Sequence, residues 1–273
     1  EVPTGRDASG DAALTIAGSR ARRQHAAMRD PAAPSYEAPP PEPLRLLHPP
    51  RGRVLVFAPH PDDEVAGPGG ALARHRAQGD AVRVVVATDG RNGDPERRFD
   101  PASYAALRRD ESRAGLAAVG VDDVVFWGFP DGHVPSPGDL ARGASLAADV
   151  LRAFAPDVVY LPWAREGHPD HHAVHVAVVM ALDAVAFRGI ALGYEVWNAL
   201  VPDVVLDVTA VIEQKLAAMR AHRSQIDYVR YDHAILGLAA YRSLVHQRGR
   251  GYAEGFVVVR GSLPPDVVDG AGR

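Results

Sequence analysis

From Arg53 onward the chain reads as an α/β domain, Rossmann-like, with a mainly parallel sheet and helices on both faces. Two observations predict this. Short β-branched runs at 54–57, 82–87, 124–127 and 158–161 alternate with Ala-rich helical stretches at 69–78, 104–119, 139–154 and 172–187, the pattern of successive βαβ units. The two clusters that combine histidines with acids directly follow the first and fourth of those strands, where a doubly wound sheet carries its functional residues.

Taken in order, residues 1–50 hold nine prolines, including Pro39, Pro40 and Pro41, and show no sustained hydrophobic period. This composition predicts an N-terminal arm. A short helix at 12–28 is conceivable within it, but Ser19, Arg20, Arg22, Arg23 and Gln24 leave that helix little to bury. Residues 51–273 then form a single domain. For a sheet order of about 3-2-1-4-5 the strand direction of travel reverses between the first and fourth strands, so both histidine-acid clusters meet at one crevice. The last third has strand-like segments at 195–199 and 204–208, a helix near 211–222 and a final strand at 256–259, an appended C-terminal α/β portion. No internal repeat is present.

Bulk composition narrows the function classes. With 273 residues and 47% hydrophobic side chains the chain can bury a large core. A formal charge of -4, from 30 basic and 34 acidic residues, offers no basic excess to neutralise a phosphate backbone, so nucleic acid is not an expected partner. The absence of cysteine removes disulfides and thiolate metal sites, leaving nitrogen and oxygen ligands for any metal. No apolar run reaches the length of a membrane span. A cytoplasmic location is expected, although a chain opening at Glu1 leaves room for a removed leader.

The first cluster is Ala58-Pro59-His60-Pro61-Asp62-Asp63-Glu64. A dinucleotide site at this turn needs glycines and free backbone N–H groups facing a pyrophosphate, and three acids would repel that anion. They suit a cation. His60 and Asp63 can reach one ion across the turn, leaving Asp62 beside it but free. The second cluster is Gly167-His168-Pro169-Asp170-His171-His172, in which Pro169 starts a helix. His171 can complete the ligand set, and His172 is its alternative within the same turn. Two imidazoles, one carboxylate and an open position match catalytic zinc, and also resemble the facial triad of non-haem iron. Such a zinc brings the pKa of bound water to about 7 and polarises a carbonyl. Asp62 is then the natural general base and His168 the general acid or oxyanion partner. Asp170 is expected to hold His168 in its charged form, giving a rate maximum in pH.

These strings, HPDDE after a first strand and GHPDHH near residue 170, resemble the PIG-L (LmbE-like) family of zinc-dependent deacetylases. The resemblance spans about residues 53 to 260. It extends to Leu107-Arg108-Arg109-Asp110-Glu111, Pro130-Asp131-Gly132, Lys215 with Ala221-His222-Arg223-Ser224-Gln225, and Tyr252-Ala253-Glu254-Gly255-Phe256. It implies a Rossmann-like fold, one zinc per chain held by His60, Asp63 and His171, Asp62 as base and His168 as acid or oxyanion partner. An Arg followed by Glu lies near substrate in some members, which places Arg108 with Glu111 there; these two can equally form an exposed pair on a helix. Pro68 in the Gly-rich helix entry and the N-terminal arm depart from the family pattern.

Asp131 and His133 follow the third strand and can line the pocket, or mark only a turn. His222 is open to either a structural or a site role. His25, His48, His75, His233 and His246 are expected to be structural or exposed. The expected activity is hydrolysis of the acetamide of an N-acetylated amino sugar or its conjugate. The rivals are an amidase on a larger acyl or thiol conjugate, and a sugar- or metal-binding protein without turnover. An uncoordinated Asp62 beside an open site argues against the binder.

Overall fold

The computed structural model describes residues 41–269; the helix considered at 12–28 and His25 lie outside them. Eight strands build one sheet in the order β1-β7-β8-β6-β5-β2-β3-β4. They are β1 (Leu44–Leu46), β2 (Val54–Ala58), β3 (Val82–Thr88), β4 (Asp123–Phe129), β5 (Val158–Pro162), β6 (Ile190–Tyr194), β7 (Val204–Asp207) and β8 (Ala253–Arg260). The block β4-β3-β2-β5-β6 is parallel throughout and is the predicted 3-2-1-4-5 core. The appended portion enters as β8, which runs antiparallel between β6 and β7.

Strands β2 and β5 are buried at every position, as expected where helices cover both faces of a parallel sheet. Their side chains alternate between two cores. Val54, Val56 and Ala58 face one layer with Leu72 of α2 (Gly69–Ala77), Leu116 of α3 (Pro101–Ala118), and Leu216 and Met219 of α6 (Ile212–Ala221). Ile235 of α8 (Tyr231–Arg242) joins them. Leu55 and Phe57 face the other layer, with Ala147 and Leu151 of α4 (Pro137–Phe154) and Val174, Val178 and Leu182 of α5 (Pro169–Ala184). The shorter helices are α1 (Asp63–Ala66), α7 (Arg223–Ile226) and α9 (Leu244–Gln247).

Local chemistry sets the helix starts. Asp100 caps α3, accepting from the N–H groups of Ala102 and Ser103 at 3.0 and 3.2 Å, with Pro101 at the first position. Ser136 and Asp139 form a reciprocal capping box at α4. Pro169 opens α5 as expected. No helix among the described residues is long and apolar enough to cross a membrane.

Two segments differ from the sequence expectation. The strand expected at 195–199 lies at Ile190–Tyr194 instead. Those five residues are all buried, so they lack the alternation that marks a strand, whereas Glu195 and Trp197 alternate with apolar neighbours because Glu195 is anchored to Arg242 at 2.7 Å and to the Leu200 N–H at 2.8 Å. Residues 41–50, assigned to the arm on their prolines, contribute β1, which pairs in parallel with β7 from Leu44↔Val204 to Leu46↔Leu206. A three-residue edge strand is too short to show a period, and prolines beside it are tolerated at an edge.

Leu46 is buried in the main core, a burial that contributes about 1.5–3 kcal/mol. A chain beginning at residue 49 is therefore expected to melt several degrees below one beginning at residue 41, at roughly 2–4 °C per kcal/mol. Parallel thermal melts of the two truncations check this.

Candidate active site

Pairing of β2 with β5, from Val54↔Val158 to Val56↔Tyr160, brings the loop entering α1 against the loop entering α5. Three donor atoms converge there. Asp63 Oδ2 accepts the backbone N–H of His60 at 2.9 Å and lies 3.0 Å from His60 Nδ1 and 3.1 Å from His171 Nε2. All three residues are buried. Neither nitrogen of His171 makes a hydrogen bond of acceptable geometry, although each has a carboxylate oxygen within 3.2 Å. Ligands on a tetrahedral ion with bonds of about 2.0–2.1 Å stand roughly 3.3 Å apart, and the two separations from the Asp63 oxygen match that spacing. Donor atoms of His168 also lie within 4.8 Å of those of His60 and His171, and His60, Asp131, His168 and Asp170 form a second such group. His60 and His171 belong to the first of these groups, and both reach the same Asp63 oxygen. His172 is exposed, its Nδ1 3.4 Å from the Ala164 carbonyl, so it points away.

Each histidine of the set is backed by carboxylates. His60 Nε2 lies 3.0 Å from Asp170 Oδ2 and 3.2 Å from Asp131 Oδ1, and His171 Nδ1 lies 3.2 Å from Glu166 Oε2. A carboxylate behind a ligating imidazole fixes its tautomer and raises its basicity. Burial lowers the pKa of His60, but hydrogen bonds to Asp131, Asp170 and Asp63 outweigh it and hold the ring well above the ordinary value. His171 behaves alike: burial opposes, Asp63 and Glu166 prevail, and its pKa reaches about 9. Burial tends to raise Asp63, yet His171 and His60 hold it far below the usual carboxylate range. Burial likewise opposes His60 at Asp131, which settles at about 2. These shifts measure how strongly the pocket favours positive charge, a condition a divalent cation meets.

Asp62 occupies a strained backbone position, φ 139° and ψ -29°, in the region that favours glycine. Its N–H donates to Glu64 Oε2 at 2.8 Å, and its carboxylate lines the cleft. Burial raises its pKa and the Arg108 guanidinium partly offsets this, leaving it at about 6. Arg108 Nη2 donates to Asp62 Oδ2 at 2.8 Å and to the Pro61 carbonyl at 2.6 Å, while Nη1 reaches the Gly90 carbonyl at 2.9 Å. The exposed Arg108–Glu111 pair considered from spacing is not formed. Glu111 instead binds the N–H and hydroxyl of Ser224 at 2.9 and 2.6 Å.

His168 caps α5, its Nδ1 accepting the Asp170 backbone N–H at 3.2 Å. An accepting Nδ1 carries no proton, which leaves Nε2–H free to donate. The expectation that the Asp170 carboxylate holds His168 charged requires correction. That carboxylate bonds His60 and the Gly132 N–H at 2.8 Å, because α5 turns it away from its own N-cap. Burial, and then repulsion from His60 and His171, lower the His168 pKa, so the ring is neutral near pH 7. Asp131, expected to contact substrate, has both oxygens engaged inward, one on His60 and the other on the Asn92 N–H at 3.0 Å.

Two participants had escaped sequence reasoning. Glu64 accepts from Ser112 Oγ at 2.6 Å as well as from the Asp62 N–H, and only its place in HPDDE hinted at this. Glu166, two residues before His168, carries no sequence signal of its own; it accepts from Trp163 Nε1 and from the Val196 and Trp197 N–H groups in the loop after β6. His222 is fully buried and sits 3.9 Å from Glu64. Burial pushes His222 down to about 3 and Glu64 up to about 8, so near neutrality this is a contact between neutral groups. His75 is structural as expected, between Asp80 at 2.7 Å and the Tyr160 hydroxyl at 3.0 Å.

Around these groups lies an open cleft of about 220 Å³, walled by Asp62, Arg108, Asn92, His168, Trp197 and Tyr231 among others. A family model described as GlcNAc-PI de-N-acetylase matches residues 55–182, which include both clusters. A 1D-myo-inositol 2-acetamido-2-deoxy-alpha-D-glucopyranoside deacetylase of Mycobacterium sp. (strain KMS) is 32% identical, over 64% of this chain and 74% of its own length. The N,N'-diacetylchitobiose deacetylase structure from Pyrococcus horikoshii superposes with a TM-score of 0.64 and 27% identity, covering 77% of this chain and 84% of that one. The 4-carboxy-2-hydroxymuconate hydratase of Pseudomonas putida KT2440 shares the fold alone, with a TM-score of 0.67 and 22% identity over 78% of this chain and 98% of the other.

His171→Ala is expected to lower the metal content of purified protein sharply, whereas His172→Ala leaves it near that of the parent. Elemental analysis of the three proteins checks the pair; the reverse result exchanges their roles.

Proposed function

We propose, from the premise that this chain belongs to the GlcNAc-PI de-N-acetylase (PIG-L) family of amide hydrolases, that it removes the acetyl group from an N-acetylated amino-sugar conjugate with one zinc held by His60, Asp63 and His171. The observation that carries this reading is the convergence of His60 Nδ1 and His171 Nε2 on one Asp63 oxygen, with an uncoordinated carboxylate of pKa about 6 beside it. The bound cation supplies a Lewis acid for the amide carbonyl and an acidified water.

The remaining chemistry belongs to the side chains. Asp62, ionised above about pH 6, takes a proton from the attacking water and returns it to the departing amine nitrogen, so a single carboxylate serves as base and then acid. Its strained turn and its bond to Arg108 hold the carboxylate toward the cleft. His168, as a neutral donor through Nε2–H, stabilises the oxyanion of the tetrahedral intermediate. A neutral ring suits its place at a helix N-terminus, where the helix dipole opposes a cation. Asp131 and Asp170 act on His60, and Glu166 on His171.

Zinc-loaded protein assayed for free amine and acetate on a panel of N-acetylglucosaminyl compounds tests the assignment. Binding without release of acetate from any of them points to a sugar- or metal-binding role, and turnover only of longer acyl groups points to an amidase.

Asp62→Asn keeps the shape and removes the base, so turnover is expected to fall by about a hundredfold or more while zinc stays bound. Rate against pH also reads Arg108. Activity needs ionised Asp62, so it is lost as pH falls through the pKa, which the cation's charge draws to about 6 or below. Arg108→Met removes a positive charge that lowers this pKa, and the acidic limb is expected to move to higher pH. A limb that stays in place in that variant assigns it to another group.

A further inference from the structure

The face of the sheet that carries α4 and α5 holds another open cavity, of about 260 Å³, which the amide chemistry does not use. Trp127 and Phe129 of β4, Leu140 of α4, and Val174 and Val178 of α5 form its apolar walls. Ring contacts fix the aromatic part: Trp127 meets Phe57 at 5.9 Å and Phe129 at 6.2 Å between centroids. On the helix side, Gly143, Ala173 and Ala177 are too small to fill the space. A Cβ at Gly143 would already stand 3.3 Å from that of Ala177, so the helices have no room to close over it.

One polar group in this wall has nothing to bond. Thr88, at the end of β3, lines the cavity and is 5% exposed. Its N–H donates to the Pro59 carbonyl at 2.9 Å, but its hydroxyl meets no hydrogen-bond partner among the described residues. A buried hydroxyl left unpaired is costly, and a ligand atom that bonds it recovers that cost. The charged residues of the lining are engaged elsewhere. Asp170 bonds His60 and the Gly132 N–H, and Asp139 accepts from Ser136 at 2.7 Å and lies 3.5 Å from His133. Arg142, exposed, holds its guanidinium 5.1 Å over the Phe129 ring. Two acids facing one arginine and one histidine give the lining no pull toward a charged ligand. Size completes the description: a cavity of about 150 Å³ takes benzene, so this one has room for a ring with one or two small substituents. Its aromatic and aliphatic walls suit an apolar ring, and a single donor or acceptor on that ring suits Thr88.

We propose that this cavity is a ligand site separate from the cleft, for a small neutral apolar ring bearing one hydroxyl or carbonyl that bonds Thr88. Its occupant borders the catalytic centre without entering it. Pro130 and His133 line the cavity, whereas Asp131 and Gly132, between them in sequence, line the cleft. Asp170 lines the cavity too, with its carboxylate 3.0 Å from His60 Nε2. The site goes beyond the deacetylase reading and does not rest on it.

Calorimetric titration of zinc-loaded protein with p-cresol and with p-xylene, which differ by one hydroxyl at nearly equal shape, reads the site without turnover. The parent is expected to bind p-cresol saturably with a Kd of about 1 mM or tighter, and to prefer it over p-xylene by about fivefold or more. Thr88→Val, close in shape but without the hydroxyl, should erase that preference and keep the affinity for p-xylene. Ala173→Phe, which fills the cavity from a partly exposed helical position, should abolish binding of both. Circular dichroism checks the fold of each variant, and Ala173→Phe decides the site by itself where Thr88→Val does not fold. A parent that shows no saturable binding of p-cresol overturns the proposal. So does binding that survives in Ala173→Phe, which puts the probe in the cleft, and so does a preference for p-cresol that persists in folded Thr88→Val.

Discussion

Everything at the site depends on one pairing, that of β2 with β5. These strands are separated by about a hundred residues of chain, yet the register Val54↔Val158 to Val56↔Tyr160 sets them side by side. Their following loops leave toward opposite faces, one into α1 and one into α5, and the space between them is where His60, Asp63 and His171 meet. Uniform burial of both strands holds that register: a one-residue slip would exchange the two hydrophobic cores.

Around this pairing the protein concentrates negative charge. Asp63, Asp131, Asp170 and Glu166 surround two imidazoles, and both imidazoles respond by gaining basicity. Such a pocket is stable only with positive charge inside it. The same field separates the roles of adjacent acids. Asp63, facing both histidines, stays ionised, while Asp62, buried on the cleft side and relieved chiefly by Arg108, is pushed up to about 6. Two neighbouring carboxylates with separated pKa values are the arrangement acid-base chemistry requires.

The fold leaves the reaction open. A hydratase superposes on this chain as closely as a deacetylase does, which is expected where function resides in side chains at the strand ends. The features that bear on it are local: a carboxylate held by Arg108 beside a cluster of acids and histidines, a neutral histidine at a helix start, and an exposed tryptophan on the cleft wall.

Much of this was legible in the chain itself. Alternating β-branched and Ala-rich runs located the strands and helices of the parallel core, since strand and helix periods are local properties, and the assumed order of about 3-2-1-4-5 matches the sheet. The HPDDE and GHPDHH strings determined that acids and histidines gather at the strand ends, and Pro169 determined where α5 begins. Tertiary structure decided the rest. It turned the Asp170 carboxylate toward His60 instead of His168, sent Arg108 to Asp62 and Glu111 to Ser224, and enlisted Glu166 to hold both His171 and the Trp197 loop. It also drew Leu44–Leu46 into the sheet. The physical reason is common to all four. A side chain's partner is set by which elements pack against it, and apart from the Glu166–His171 contact those elements come from segments tens to more than a hundred residues away, beyond the reach of any local period or spacing.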